Sequence, residues 1–289
     1  MLYPIKELFS IYNAEKELTS SGKNFLSIEL SLDGFSYCIL DTDSFRFEIL
    51  EAYALRDVND YHKLAIILED FVSNKKILTQ NHQRVSISFI HPSVTFVPSE
   101  LFVYSEKNEY LKFNLDSDHN YEIRVDKLHN LSGYTIYPFP KVLMHKIDYL
   151  FPSARIRHMS TPLIENVVYM VRYGRMNPQL VLHVQSNHFE ILIFNNEQLR
   201  FFNSFRYQTC EDLFYYLFYV LEQLNLQVEE LDTMLFGEVG IESEFYRKIK
   251  RYVKSLSFGP RSDLYKYSEA FDEIPHHYYY NLLNLNACG

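Results

Sequence analysis

Residues 26–47 and 180–201 align without a gap at a constant offset of 154, which places Phe35 on Phe189, Ile39 on Ile193, Arg46 on Arg200 and Phe47 on Phe201. This internal repeat constrains the fold more than any other feature of the chain. In each copy the spacing of apolar residues predicts three short strands followed by one amphipathic helix. In the second copy the strands fall at 180–185, 189–194 and 199–205, with Asn195 and Asn196 at a hairpin turn. Its helix opens at Thr209, an N-cap with Asp212 three residues on, and turns Leu213, Tyr216, Leu217, Val220, Leu221 and Leu224 to one face. In the first copy the helix spans 57–73, with Asp57 or Asn59 at its start and Tyr61, Leu64, Ala65, Leu68, Phe71 and Val72 on one face. The shared order of three strands and a helix predicts two related halves.

A chain of 289 residues is long for one hydrophobic core and comfortable for two domains. The first half is read as 1–160. It has a lead-in over 1–22 with one short helix, and a fourth strand at 84–90 whose Val85, Ile87 and Phe89 alternate with Ser86 and Ser88 in a half-buried pattern. An inserted subdomain occupies about 91–155, with short helices at 99–104 and 106–113, strands at 121–125 and 134–137, and a helix at 141–150. A further strand is read at 155–159. The second half is read as 161–289. Thr161 and Pro162 open a helix over 163–173, with proline at the first helical position. A strand follows the long helix at 233–236, Gly237 and Gly240 bracket a turn, and a last helix runs over 243–254. The tail from 257 packs back through Tyr278, Tyr280, Leu282, Leu283 and Leu285.

With 47% hydrophobic and 22% charged residues, the composition is that of an ordinary globular protein. Aromatic residues reach 16% without a single tryptophan, which is assigned to compositional bias of the source genome. A formal charge of −9 argues against binding a phosphate backbone, so no nucleic-acid partner is expected. Cys38, Cys210 and Cys288 are far apart and odd in number, which fits a reducing cytoplasm and no disulfide framework. The N-terminal residues lack a basic start followed by an apolar core, so no signal peptide is read. The longest apolar run, 213–221, is too short to span a bilayer. Membrane insertion is not expected, and peripheral docking to a membrane complex stays open.

Two halves of three strands and a helix, with an insertion in the first, resemble the actin-like ATPase (ribonuclease H-like) fold shared by actin, Hsp70-type chaperones and sugar kinases. The likeness is closer to PilM-type pilus-assembly proteins and FtsA-like proteins. Over nearly its whole length the chain also resembles a family of unknown function from Bacteroidetes bacteria, on the stretches HPSVTFVPSELF and FFNSFRYQTCEDLFYYL and the turn at Gly237. The resemblance implies a two-lobed α/β fold with mixed sheets and a nucleotide cleft built on three signatures. At the first, Glu29 stands where the family has Asp and Ser31 where it has Gly, followed by Leu32, Asp33 and Gly34. A phosphate that approaches backbone amides needs glycine there, because side chains obstruct it. At the second, His183, Gln185, Ser186, Asn187 and His188 replace an acid and a run of glycines. At the third, Gly237 is kept and Glu238 takes the place of the second glycine.

The remnant nucleotide cleft is therefore read as Glu29, Ser31, Asp33, Gly34, Gly237 and Gly240, with no catalytic residue and no metal site assigned. Asp41 and Asp43 are read as a turn, and His183 with His188 as polar hairpin residues rather than ligands. His276 and His277 lack ligand spacing, and no nucleophile motif is present. Arg247, Lys250, Arg251 and Lys254 form a basic stripe on the last helix, either a solvated face or a dock for an acidic partner. These features point to a non-catalytic actin-like protein that binds or scaffolds an unidentified protein partner, as a monomer or homodimer, without a cofactor. The alternative is an active ATPase or kinase of the same superfamily that binds Mg-ATP through atypical phosphate loops.

Overall fold

The first strand of the chain is one that its polar pattern conceals. In a computed structural model, which describes residues 5–12, 23–112 and 120–287, Ile5–Tyr12 forms β1, a strand that the reading of the lead-in does not include. There follow β2 (Asn24–Leu30), β3 (Gly34–Asp41), β4 (Arg46–Leu55), α1 (Tyr61–Asn74), β5 (Arg84–Phe89), β6 (Thr95–Pro98), β7 (Tyr121–Leu128), β8 (Gly133–Pro140), α2 (Lys141–Leu150), β9 (Arg155–His158) and α3 (Ser160–Arg172). The second half runs β10 (Leu180–Val184), β11 (His188–Asn195), β12 (Gln198–Arg206), α4 (Cys210–Gln223), β13 (Asp232–Gly237), α5 (Glu244–Ile249), β14 (Ser255–Phe258), β15 (Lys266–Tyr267) and α6 (Tyr280–Asn284). The rest of the lead-in and the end of the helix expected at 106–113 lie outside the described residues. The part of 99–112 that is described holds three single 3₁₀ turns instead of two helices.

The duplication is visible in the strand order. The first sheet runs β1-β4-β3-β2-β5-β9, with β15 beside β4, and the second runs β12-β11-β10-β13-β14. Without β1 and β15 the two orders are the same: three antiparallel strands, then two parallel ones. Register agrees as well, since Leu26 pairs with Ile39 and Leu180 with Ile193. Each copy also has a bulge at the equivalent place, between Ile39 and Leu40 and between Ile193 and Phe194. The constant offset ends at the next turn. Asp41 pairs with Arg46, but Asn195 pairs with Gln198, so the second hairpin is two residues tighter. Asn196 and Glu197 close it with φ of 50° and 62°, the left-handed pair that a two-residue hairpin requires. Arg46 and Arg200 are therefore not equivalent.

Helix ends follow from their caps. Thr209 and Asp212 form the capping box expected of them. The first helix starts later than the pattern suggests, because Asp60, not Asp57 or Asn59, is its cap and accepts from Lys63 N at 2.8 Å. In α3, Pro162 is the third residue rather than the first, still within the turn whose N–H groups have no helical partner. The last helix stops at Ile249, five residues short of its expected end.

Each sheet is covered on both faces. Leu64, Leu68, Leu143 and Ile147 of α1 and α2 pack on one face of the first sheet. Phe271, Leu282 and Leu283 of the tail cover the other face, over Cys38, Leu40, Phe47 and Leu50. Ser86 and Ser88, expected on a solvent face, are consequently buried. The tail supplies polar cover for Ser27 and Ser86: Asn286 Nδ2 donates to Ser27 Oγ at 2.7 Å, and Ser86 Oγ donates to Asn286 Oδ1 at 2.9 Å. On the second sheet, α4 and α5 cover one face, and α3 covers the other through Leu163, Ile164, Val167 and Val171. The tail of the second half thus seals the sheet of the first.

The insertion forms a three-stranded sheet, β6-β8-β7, joined to the first sheet by buried polar contacts. Asp126 accepts from His158 N at 2.9 Å, Thr161 Oγ1 at 2.8 Å and Tyr137 Oη at 3.1 Å. Glu165 on α3 accepts from Asn130 N at 2.8 Å and from His129 N.

Candidate functional site

The duplicated hairpins point their turns at each other across a cleft between the lobes. Glu29, Ser31, Asp33 and Gly34 line it from the first lobe, and His183, Gln185, Ser186, His188, Gly237 and Glu238 from the second. Tyr278, Tyr279, Tyr280 and Asn281 close it from the tail, leaving a volume of about 180 Å³. The fold therefore brings Glu29, Ser31, Asp33, Gly34 and Gly237 together. Gly240 is not among the lining residues.

At the first turn a side chain occupies the amides that a phosphate would need. Ser31 Oγ accepts from Asp33 N at 3.2 Å and from Gly34 N at 3.1 Å, and donates to Gly34 O at 3.0 Å. Gly34 is required by the strand crossing itself, since a Cβ there would lie 2.4 Å from Tyr53 O. Asp33 reaches over the cleft, where its Oδ2 accepts from Asn187 Nδ2 and from Ser186 Oγ at 3.4 Å. A carboxylate tethers the two turns at the mouth of the cleft.

The second hairpin buries an ionic row that sequence reasoning did not assemble. His183 Nδ1 and Glu190 Oε2 are 2.7 Å apart, Ser204 Oγ donates to Glu190 Oε1 at 2.9 Å, and His188 Nε2 lies 3.4 Å from the same oxygen. Burial works against ionisation of Glu190, but His188 and His183 outweigh it and hold the carboxyl below its ordinary range. Burial lowers the His188 imidazole below its ordinary range, against the pull of Glu190. The signal for this row was the alternation of polar His183, His188 and Glu190 within otherwise apolar strands.

At the third turn, Gly237 has φ +86°, and a Cβ would sit 2.1 Å from Val184 O. Its N–H donates to His277 O at 3.0 Å, while Glu238 N–H donates to Val184 O at 2.7 Å. The glycine is explained by the close approach of β13 to β10, and both amides are engaged.

The electrostatics follow from these placements. Glu29 is 6% exposed, and its Oε1 has no hydrogen-bond partner among the described residues. Burial, and secondarily the Glu238 carboxyl, push Glu29 up to about 8. Glu238 is likewise raised, chiefly by burial. Among the described residues no lysine or arginine lines the cleft.

A model of the family described as "Protein of unknown function (DUF3822)" matches residues 13–256. The chain belongs to the DUF3822 family. A Bacteroides thetaiotaomicron protein with an actin-like ATPase fold and unknown function is 25% identical, with a TM-score of 0.73 over 84% of this chain and 93% of that one. The PilM–PilN type IV pilus biogenesis complex contains a chain 10% identical, with a TM-score of 0.61 over 91% of this chain and 97% of that one. A comparison with curated proteins gives no match. This member of the DUF3822 family thus has the actin-like ATPase fold.

The remaining candidates of this DUF3822 protein have structural roles or lie at the surface. Asp41 Oδ1 accepts from Asp43 N and Ser44 N at 2.8 and 3.2 Å, which makes the acidic loop a turn. His277 stacks on Phe258 at 4.0 Å, and its Nε2 lies 2.7 Å from Val239 O. No group of three metal-ligating side chains is found among the described residues. Cys38 is buried and Cys210 half-buried, and Cys288 lies outside the described residues. Arg247 is exposed on α5, Lys250 caps it, and Arg251 and Lys254 fall beyond its end. Lys254 Nζ is paired with Asp232 at 2.9 Å. Among the described residues no helix is long and apolar enough to cross a membrane.

Proposed function

We propose that this DUF3822 protein is a non-catalytic, protein-binding actin-like module that works in the cytoplasm and has given up nucleotide chemistry. The observation that carries this reading is the first hairpin, where Ser31 Oγ takes the Asp33 and Gly34 amides. Nucleotide binding in such a cleft needs amides open to phosphate oxygens and a metal to neutralise charge. Here Asp33 and Glu238 would oppose a triphosphate. The PilM neighbour is seen in complex with PilN, which supports a fold put to use as a protein-binding platform. Exposed Arg247, Lys250 and Arg251 are the surface proposed for an acidic partner.

The test is a thermal-shift titration with Mg-ATP, Mg-ADP and Mg-GTP, together with a phosphate-release assay. A ligand at 100 times its Kd would stabilise the fold by about 2.7 kcal/mol and raise Tm by several degrees. No shift at millimolar nucleotide and no phosphate release are expected. A magnesium-dependent shift that Glu29→Ala abolishes would return the protein to the working ATPases.

A further inference from the structure

We propose that the cleft binds a small organic cation, an alkylammonium or alkylguanidinium group, with Glu29 and Glu238 as its counter-charges and Tyr278 and Tyr279 as its walls. The inference goes beyond the scaffold reading and stands on the cleft alone.

Its first support is the state of Glu29. A carboxyl that is 6% exposed normally has its lone pairs satisfied, yet Glu29 lines the cleft and its Oε1 has no partner among the described residues. Its cross-strand neighbours are Ser36 on β3 and Ser88 on β5, neither of them basic. The titratable groups that act on it from packed elements are Glu238 after β13, Cys38 on β3 and Tyr279 in the tail. All are acidic or neutral. Glu238 in turn faces Asp33 and His183. A cation entering here would meet the Glu29 carboxyl, which has no basic neighbour among the groups named, and the Glu238 carboxyl, which has only His183 to offset it.

The walls select the kind of cation. Tyrosine rings attract alkylammonium and guanidinium groups through their faces and shed water from their edges. Metal ions demand several oxygen ligands at short range, and no such group of three exists among the described residues. The volume of about 180 Å³ is comparable to the cavity of about 150 Å³ that accepts benzene in an engineered protein. It suits a group of roughly that size rather than a nucleotide.

Protonation makes the proposal specific. Glu29 is neutral below about pH 8, so a cation must displace its proton, and affinity must rise as pH rises through that value. Ethylguanidine is the probe, titrated by calorimetry into the full chain at pH 8.5 and pH 6, in buffers of different ionisation heat. One equivalent is expected to bind at pH 8.5, with affinity at least ten-fold weaker at pH 6 and proton release visible between buffers. Glu29→Gln should lose binding by at least ten-fold while remaining folded by circular dichroism with an undiminished Tm. The exposed Glu242→Gln should bind as the parent does. Absence of saturable binding at pH 8.5 would overturn the proposal, as would unchanged affinity in Glu29→Gln. So would tighter binding of magnesium alone that competes with the probe.

Discussion

The same row of three cross-strand positions is filled in opposite ways in the two sheets. In the first it reads Glu29, Ser36 and Ala52, and in the second His183, Glu190 and Ser204. Backbone and register are shared, so the difference lies in the side chains alone. The second sheet buries a carboxylate with a histidine and a hydroxyl to hold it. The first buries a carboxyl against partners that cannot neutralise it. One row is a finished structural element, and the other is a position left open toward the cleft. Duplication supplied two equivalent slots, and only one has become part of the core.

The largest effect should come from breaking the finished row. Removing one member of a buried ionic cluster costs about 3–5 kcal/mol, because the other charge is left uncompensated. Glu190→Gln is expected to lose that much in denaturant unfolding at pH 7. Because Glu190 is held below its ordinary range, its contribution is present above the unfolded carboxylate range and fades as pH falls through its folded value. The variant and its parent should therefore converge in acid. A similar loss, about 3–5 kcal/mol, is expected for Phe271→Ala, whose ring is fully buried on the first sheet although it follows the second. Both variants should unfold in a single transition, since the tail of the second half covers the first sheet. Two separated transitions would mean that the lobes are independent.

The open row should respond in the other direction. Glu29 has a folded pKa of about 8, above its unfolded value. Its stability is complete below the unfolded value and is lost as pH rises toward 8. Glu29→Gln should lie below its parent near pH 4, by the cost of the buried amide, and overtake it progressively up to pH 8–9. The conversion of about 1.4 kcal/mol per pH unit sets the ceiling, and the unmet bonds of a buried amide take back about 1–3 kcal/mol. A net gain on the order of 2 kcal/mol is expected, read as a raised Tm whose excess grows with pH. A loss at pH 8 would show that Glu29 has a hidden counter-charge.

Local pattern revealed one part of this arrangement and concealed another. The strands of each half, the Thr209 capping box and the offset of 154 were legible, because they rest on periodicity and near-neighbour chemistry. The pairing of β15 with β4 and the bond from Cys38 Sγ to Leu282 O at 3.8 Å were not, since the cysteine contact joins residues 244 apart. Burial of Ser86 was misjudged for the same reason: its partner, Asn286, arrives from the tail. The cleft residues Glu29, Ser31, Asp33, Gly34 and Gly237 were found by resemblance to signatures. The His183–Glu190 contact required knowing which residues oppose each other across strands, and a hairpin two residues shorter than its copy displaces that register beyond β11.

A smaller effect is expected at the mouth of the cleft, where Asp33 is exposed and bonded to Ser186 and Asn187. Exposed charged contacts contribute about 0.2–1 kcal/mol, so Asp33→Ala should lower stability by no more than that. Hydrogen exchange at the 31–34 and 185–188 turns should nevertheless quicken together, because one tether holds both. Faster exchange at one turn alone would show that the hairpins are anchored separately.

The smallest effect should come from the basic stripe beside α5. Both lobes pair one lysine across neighbouring helices, Lys146 with Glu69 and Lys248 with Glu211, but Arg247, Lys250 and Arg251 stand exposed in addition at α5. Lys254 is excluded from the test because it is tied to Asp232. Exposed substitutions away from packed features change stability by about 0.5 kcal/mol or less each, so reversing all three residues to Glu should leave Tm nearly unaltered. What the reversal should change is association. Charge across an interface acts mainly on encounter and is screened by salt over about 8 Å at physiological ionic strength. The parent should therefore capture its acidic partner from host extract most strongly at low salt, and the reversed variant should lose that advantage. Equal capture by both at every salt concentration would assign the stripe to solvent and leave the partner surface to be sought on the other lobe.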